Sequence, residues 1–194
     1  MIEPINTKLG NDNYTILQGY ENTQSLQIKI LRDNATKPKR AYDSAGYDIY
    51  AAETKILEPQ EKALIATDLA VNIPKGYVGL LTSRSGVSSD THLVVETGKI
   101  DAGFQGHMRI NIKNDRLPIK KKRRSLAYLD ISGKGVWETN NNKKYKIGTY
   151  QINKGDRLAQ LVIVPIWTPE LVPVEEFESE TARGEKGFGS SGTR

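Results

Sequence analysis

Five short stretches hold residue types that packing alone does not call for. Ala45–Ala51 (AGYDIYA) places Asp48 in an otherwise apolar run. Ser83–Gly86 (SRSG) offers the Arg84 guanidinium, the Ser85 hydroxyl and Gly86 side by side, a set suited to phosphate oxygens. Gly98–Gly106 (GKIDAGFQG) carries one carboxylate, Asp101, and one aromatic, Phe104, on a glycine-bounded hairpin. Gly155–Leu161 (GDRLAQL) leads into a strand through Gln160, and Arg183–Gly192 (RGEKGFGSSG) is dense in glycine and serine. Each has a plainer reading when taken singly. Arg-Ser-Gly is usually a turn, and a lone aspartate usually caps an Asx-turn or a strand end. GDR reads equally well as a hairpin turn, and a Gly-Ser tail as a linker.

The elements that must position these groups are short and β-like. Runs at Leu26–Leu31, Tyr47–Ala52, Lys62–Thr67, Leu69–Ile73, Tyr77–Thr82, Leu93–Glu96, Met108–Lys113, Gly148–Ile152 and Leu158–Pro165 carry β-branched or aromatic residues, and several alternate in polarity. Turn chemistry separates them at Glu58-Pro59-Gln60, Ile73-Pro74-Lys75-Gly76 and Asn153-Lys154-Gly155-Asp156. Only the residues after Arg84-Ser85-Gly86 suggest a short helix. The pattern predicts an all-β sandwich, barrel or jelly roll.

The 194 residues suit one domain with appendages, long enough to build a core without staples. There is no cysteine, which excludes disulfides, thiolate metal sites and a cysteine nucleophile. With His92 and His107 alone, a His-rich metal centre or a Ser-His-Asp triad has little material. Both histidines are expected at surface or loop positions. No apolar stretch approaches the ~20 residues that cross a bilayer, and the first ten residues do not read as a secretory signal. A cytoplasmic protein with no membrane association is the expectation.

Charge is uneven. Of the net charge of +5, residues 1–24 contribute −2 and Asp115–Lys146 contributes +7; the rest balances. This divides the chain into an extension (1–24) expected to be mobile, a β domain (25–178) carrying a basic insert (115–146), and a tail (179–194) too poor in large apolar residues to order alone.

In this order and spacing, the five stretches resemble the motifs of the trimeric dUTP pyrophosphatase (dUTPase) family, from Ala45 to Gly192. GKIDAGFQG and RGEKGFGSSG are the most specific. The resemblance implies a distorted jelly-roll subunit, a homotrimer with a flexible C-terminal arm, and Mg2+-assisted hydrolysis of dUTP to dUMP and pyrophosphate. It makes Asp101 the general base for water attack on the α-phosphorus. Phe104 would pack on the deoxyribose and reject UTP, while Gly98, Lys99 and Ile100 would read the uracil edge. Arg84, Ser85, Gly86 and Gln160 would hold phosphates. From the tail, Arg183 would clamp the γ-phosphate and Phe188 stack on uracil, with Gly189 and Ser190 donating to the phosphates. Asp48 would support the site through hydrogen bonds or a water of the cation. No protein side chain is assigned as a metal ligand, because triphosphate and water supply most ligands.

Three positions depart from the family pattern: Phe104 replaces the usual Tyr, His107 stands where Glu or Gln is common, and Ser83 replaces a frequent Pro. The basic insert resembles the extra segment of dUTPases from bacteriophages of Gram-positive hosts, placing the enzyme in the host cytoplasm if phage-encoded. It is expected to form a separate surface arm, dispensable for hydrolysis, in which KKKRR and exposed Tyr128, Trp137 and Tyr145 contact a protein partner such as a transcriptional repressor. Nucleic acid is the less favoured partner. The alternatives are a repressor-binding regulatory module on this scaffold and, further off, a dCTP deaminase.

Overall fold

The computed structural model describes residues 25–33, 35–119, 124–138, 143–179, 181–182 and 184–185. The extension 1–24 lies outside them, as do Arg183, Phe188, Gly189 and Ser190 of the tail and most of KKKRR.

One sheet joins β1 (Gln27–Ile30), β4 (Lys62–Asn72), β8 (Met108–Asn114) and β6 (Leu93–Val95), in the order β1-β4-β8-β6. A second joins β2 (Tyr47–Tyr50), β14 (Arg157–Pro165), β5 (Tyr77–Ser83) and β7 (Gly98–Ile100), in the order β2-β14-β5-β7. The helix α1 (Ser85–Asp90) follows β5, where the sequence suggested it. Alternation in β8 works as read: Met108, Ile110 and Ile112 are buried while Arg109 faces solvent. Those side chains meet Ile65, Leu69 and Val71 of β4 and Ile49, Leu81 and Leu161 of the second sheet in one hydrophobic cluster. The result is a distorted jelly-roll sandwich, as expected.

The two runs at Lys62–Thr67 and Leu69–Ile73 form the single strand β4, not two strands. Its pairing with β8 jumps between Ala66 and Leu69, so Thr67 and Asp68 bulge out of the ladder. Asp68 takes φ 55° there, which looks like a strand break in sequence.

The insert is not a separate arm. β10 (Ala127–Leu129) and β11 (Gly135–Trp137) pair with each other, and β10 also pairs with β13 (Tyr150–Ile152), which pairs with β3 (Lys55–Leu57) of the body. Arg124–Ser125 (β9) and Tyr145–Lys146 (β12) form a second small ladder. Leu129 and Ile131 pack against the main core. Tyr145 is buried and meets half-buried Tyr128 edge-to-face at 5.4 Å; only Trp137 is exposed as expected. The reason is local: burial of two tyrosines gives this segment a small core of its own. Fully buried Asn114 clasps its roots, donating through Nδ2 to the Leu57 and Gly148 carbonyls at 3.0 and 2.9 Å. At its tip, Gly133 sits so close to the Asp90 carbonyl, at the end of α1, that a Cβ there would lie 2.5 Å from the oxygen.

Candidate functional site

The sheet β2-β14-β5-β7 carries the predicted site residues at its two ends. At one end, the registers set Gln160 of β14 directly between Asp48 of β2 and Thr82 of β5. Strand β5 then ends at Ser83, so Arg84, Ser85 and Gly86 emerge beside Gln160 and open α1, which has no side-chain cap. The Asp48 carboxylate is almost fully buried; Arg84 Nε donates to its Oδ1 at 2.8 Å, and Arg157 NH1 approaches its Oδ2 at 3.5 Å. Arg84 NH1 also donates to the Arg157 carbonyl at 3.3 Å. A buried carboxylate thus fixes two guanidiniums at one edge, next to the exposed Ser85 and Gly86. Arg157 is a residue the sequence reading missed; its place in GDR was the available signal.

The other end is the hairpin between β7 and β8. Gly98, Lys99 and Ile100 pair with Leu81, Leu80 and Gly79 of β5. Asp101 follows, exposed, and its carbonyl accepts the Phe104 N–H at 3.1 Å. The Phe104 ring lies over Gly106, where a Cβ would come within 2.7 Å of the ring, so glycine seats the aromatic. Phe104 stays 46% exposed, its ring open to solvent.

The chain does not bring Asp101 to Arg84. Ile100 pairs with Gly79 of β5, so Asp101 leaves the sheet level with Val78, while Arg84 follows the far end of β5 at Ser83, about six residues along, which sets the two groups about 15–20 Å apart. Among the described residues, no group of three His, Cys, Asp or Glu side chains is placed to hold a metal ion. No helix among them is long and apolar enough to cross a membrane.

With both half-sites in view, comparison with known proteins settles the family. The dUTPase family model matches residues 33–129 and 125–192. The chain belongs to the dUTPase family. Among its relatives, the probable deoxyuridine 5'-triphosphate nucleotidohydrolase of Schizosaccharomyces pombe is 34% identical over 169 residues, covering 87% of this chain and 99% of the relative. The deoxyuridine 5'-triphosphate nucleotidohydrolase of Mycolicibacterium gilvum is 35% identical over 175 residues, covering 87% and 95%. Among solved structures, the Staphylococcus bacteriophage 80alpha dUTPase with dUPNHPP superposes with a TM-score of 0.83 at 60% identity, over 88% of this chain and 99% of that one. A mutant dUTPase from phage phi11 of S. aureus, studied for coordination of a structural Mg(II) ion, aligns at 58% identity with a TM-score of 0.76, over 80% and 100%.

Proposed function

We propose that this dUTPase hydrolyses dUTP to dUMP and pyrophosphate at a site assembled from two copies of the chain. The observation that carries the reading is the split itself. An Arg84 edge suited to phosphate and a hairpin with a carboxylate and an aromatic occupy opposite ends of one sheet, and both lie within the residues the dUTPase family model matches. A cyclic trimer would set the hairpin of one subunit against the Arg84 edge of its neighbour, as closed symmetry allows with one interface used three times. The exposed apolar run Trp167, Leu171, Val172 and Phe177 supports association, because an isolated subunit gains nothing from exposing it.

In such a site the β5–β7 rung offers uracil a fixed backbone edge, and Phe104 stacks on the deoxyribose, leaving no room for a 2′-hydroxyl. Asp101, exposed and without an ion pair among the described residues, takes a proton from the attacking water. Arg84 is held in place by Asp48 and needs no reorganisation to meet phosphate charge, while Ser85, Gly86 and Gln160 add donors. The proposed tail residues Arg183, Phe188, Gly189 and Ser190 would close over the ligand and exclude water. A Mg2+ bound with the triphosphate would neutralise part of its charge, and among the described residues Asp48, beside Arg84, would be the carboxylate placed to hold one of its waters.

The test is pyrophosphate release from dUTP, UTP, dCTP and dTTP. Hydrolysis of dUTP alone, with no ammonia from dCTP, is the expected outcome; turnover of UTP would remove Phe104 from sugar selection, and ammonia release would revive the deaminase.

A second reading concerns the insert. The 80alpha phage dUTPases are described as controlling transfer of virulence genes by a proto-oncogenic G protein-like mechanism. We infer that residues 115–146 give this chain a regulatory protein contact, a repressor being the expected partner, through Trp137 and the surrounding positive charge. Pull-down with the insert replaced by a Gly-Ser turn checks it.

A further inference from the structure

The bulge in β4 lies where the catalytic hairpin rejoins the sandwich. Strand β8 starts at Met108, paired with Leu69, and the next rung is Arg109 with Ala66. Thr67 and Asp68 therefore have no partners in the ladder, and a backbone N–H buried without a partner is costly. Side chains fill the gap. The Thr67 hydroxyl donates to the Met108 carbonyl at 2.6 Å and accepts the Leu69 N–H at 3.3 Å. The Asp68 N–H donates to Nε2 of His107 at 2.9 Å.

His107 ends the hairpin, directly after the glycine that seats Phe104. The same Nε2 lies 3.6 Å from the Asp68 carboxylate, a contact that would need a proton on that nitrogen. The shorter contact decides between them, because an N–H can only donate to a free lone pair; the ring proton therefore sits on Nδ1. The carboxylate has Arg32 at 3.6 Å instead.

The hairpin thus stands on two feet of different construction. The β7 foot is held by backbone pairing with β5, and it carries the uracil edge. The β8 foot pairs with β4 from Met108 on, but across the bulge it is tied by the His107 side chain, with a weaker, exposed tie where Gln105 Nε2 donates to Asn72 Oδ1 at 3.1 Å. We propose that His107 is a positioning residue for hydrolysis: by accepting the Asp68 N–H it fixes the point where the loop carrying Asp101 and Phe104 rejoins the sheet. The inference rests on the reading of Asp101 as the general base.

Gly98–Ile100 lie within the β5 ladder while Asp101 is the first residue beyond it, so losing the clamp should move the loop, Asp101 included, more than the uracil edge. His107→Leu keeps bulk and removes the acceptor. Its kcat for dUTP should fall about 10- to 100-fold, the range that small misplacements cost, with KM within about threefold. His107→Gln returns an acceptor at similar reach and should bring kcat back to within about threefold of wild type. Rates are compared below the melting temperature of each variant, with oligomeric state checked. Wild-type kcat in His107→Leu overturns the proposal, as does a His107→Gln enzyme as slow as the leucine variant. A measurement independent of turnover is the nitrogen-15 spectrum of the wild-type imidazole: Nε2 without a proton is expected, and a protonated Nε2 overturns the clamp even if the leucine variant does not fold. A wild-type protein that releases no pyrophosphate from dUTP would instead overturn the proposed function, leaving the nitrogen spectrum to judge the clamp.

Discussion

The two ends of the sheet β2-β14-β5-β7 are built on different principles. At the phosphate end, three strands run abreast: ladder hydrogen bonds set Gln160 between Asp48 and Thr82, and Arg84 emerges from the end of β5 beside them. A nearly buried carboxylate then locks the guanidiniums. At the base end, one hairpin projects from ladders on both its strands, with a side-chain tie across the bulge where it rejoins β8. The rigid end is pre-formed for charge that is already present on the substrate. In the proposed site the projecting end carries the group that acts on water, and it is the end that would reach a neighbouring subunit. Stiffness is placed where charge is to be neutralised, and projection where a site is to be completed across an interface.

The largest effect is expected at the base end. Asp101→Asn keeps size and hydrogen-bonding capacity but cannot take a proton, so kcat should fall by roughly 10²- to 10⁴-fold while dUTP still binds. Near-normal turnover would remove Asp101 from the role of base. Arg84→Ala damages the other end and should also inactivate. Mixing the two inactive chains, refolded together in equal amounts, sharpens the comparison. If each site joins Asp101 of one subunit to Arg84 of the next, about a quarter of the sites regain both groups, and activity should return to that level. A mixture as dead as its parents would place the complete site within one chain.

Next in size is the lock on the guanidinium. Asp48→Asn leaves one neutral acceptor where two charge-assisted contacts converged. Arg84 would lose its fixed aim, and kcat/KM should fall about 10- to 100-fold, the cost expected for a misplaced phosphate clamp. An unchanged kcat/KM would show that phosphate alone orders Arg84.

Most of the phosphate end was legible in the sequence because alternation and turn chemistry mark strands, and strands fix neighbours through register. Gln160 and Asp48 fall on recognisable runs, and the helix after Ser85 was visible from its own residues. What stayed hidden depended on departures from regular pairing. The bulge at Thr67 and Asp68 looked like a break between two strands, so the importance of His107 was invisible; a histidine beside a glycine hairpin carries no periodic signal. The insert misled for another reason. Its charge suggested a solvated arm, while the cores of its short strands come from Tyr145, Tyr128 and Leu129, too few for a pattern. Arg157 was hidden because the turn reading of GDR accounted for it fully.

The insert sets a smaller test, between catalysis and stability. Replacing 115–146 with a Gly-Ser turn removes β9 to β12, exposes one side of β13, and takes Leu129 and Ile131 off the core. Hydrolysis should stay within about tenfold, since none of the proposed site residues lies there, while the melting temperature should drop by roughly 5–10 °C for the lost apolar burial. Full loss of hydrolysis in a folded protein would mean that the contact of Gly133 with the end of α1 supports the phosphate end. An unchanged melting temperature would return the segment to the status of an independent arm.

The smallest effect is expected where the insert and the phosphate end meet electrostatically. Burial pushes the Asp156 carboxyl above the ordinary aspartate range, and the charge of Asp130 in the insert pushes the same way, against the lowering hydrogen bond from the Asn153 N–H. A carboxyl whose pKa is raised on folding favours its neutral form in the native state. Its contribution is fully present below the unfolded value near 3.9 and is lost as pH rises through the higher folded value. At pH 7 the native state therefore carries a partly buried charge it would be better without. Asp156→Asn stays neutral and still accepts the Asn153 N–H, now 2.7 Å from Oδ2. The variant should melt a degree or two above wild type at pH 7, with the gap closing as pH falls toward about 4. Asp130→Asn should recover a smaller part of the same gain by removing the nearby charge. A gap that is constant with pH, or a variant that melts below wild type at pH 7, would show that the carboxylate is satisfied in its charged form and that the two regions do not speak through it.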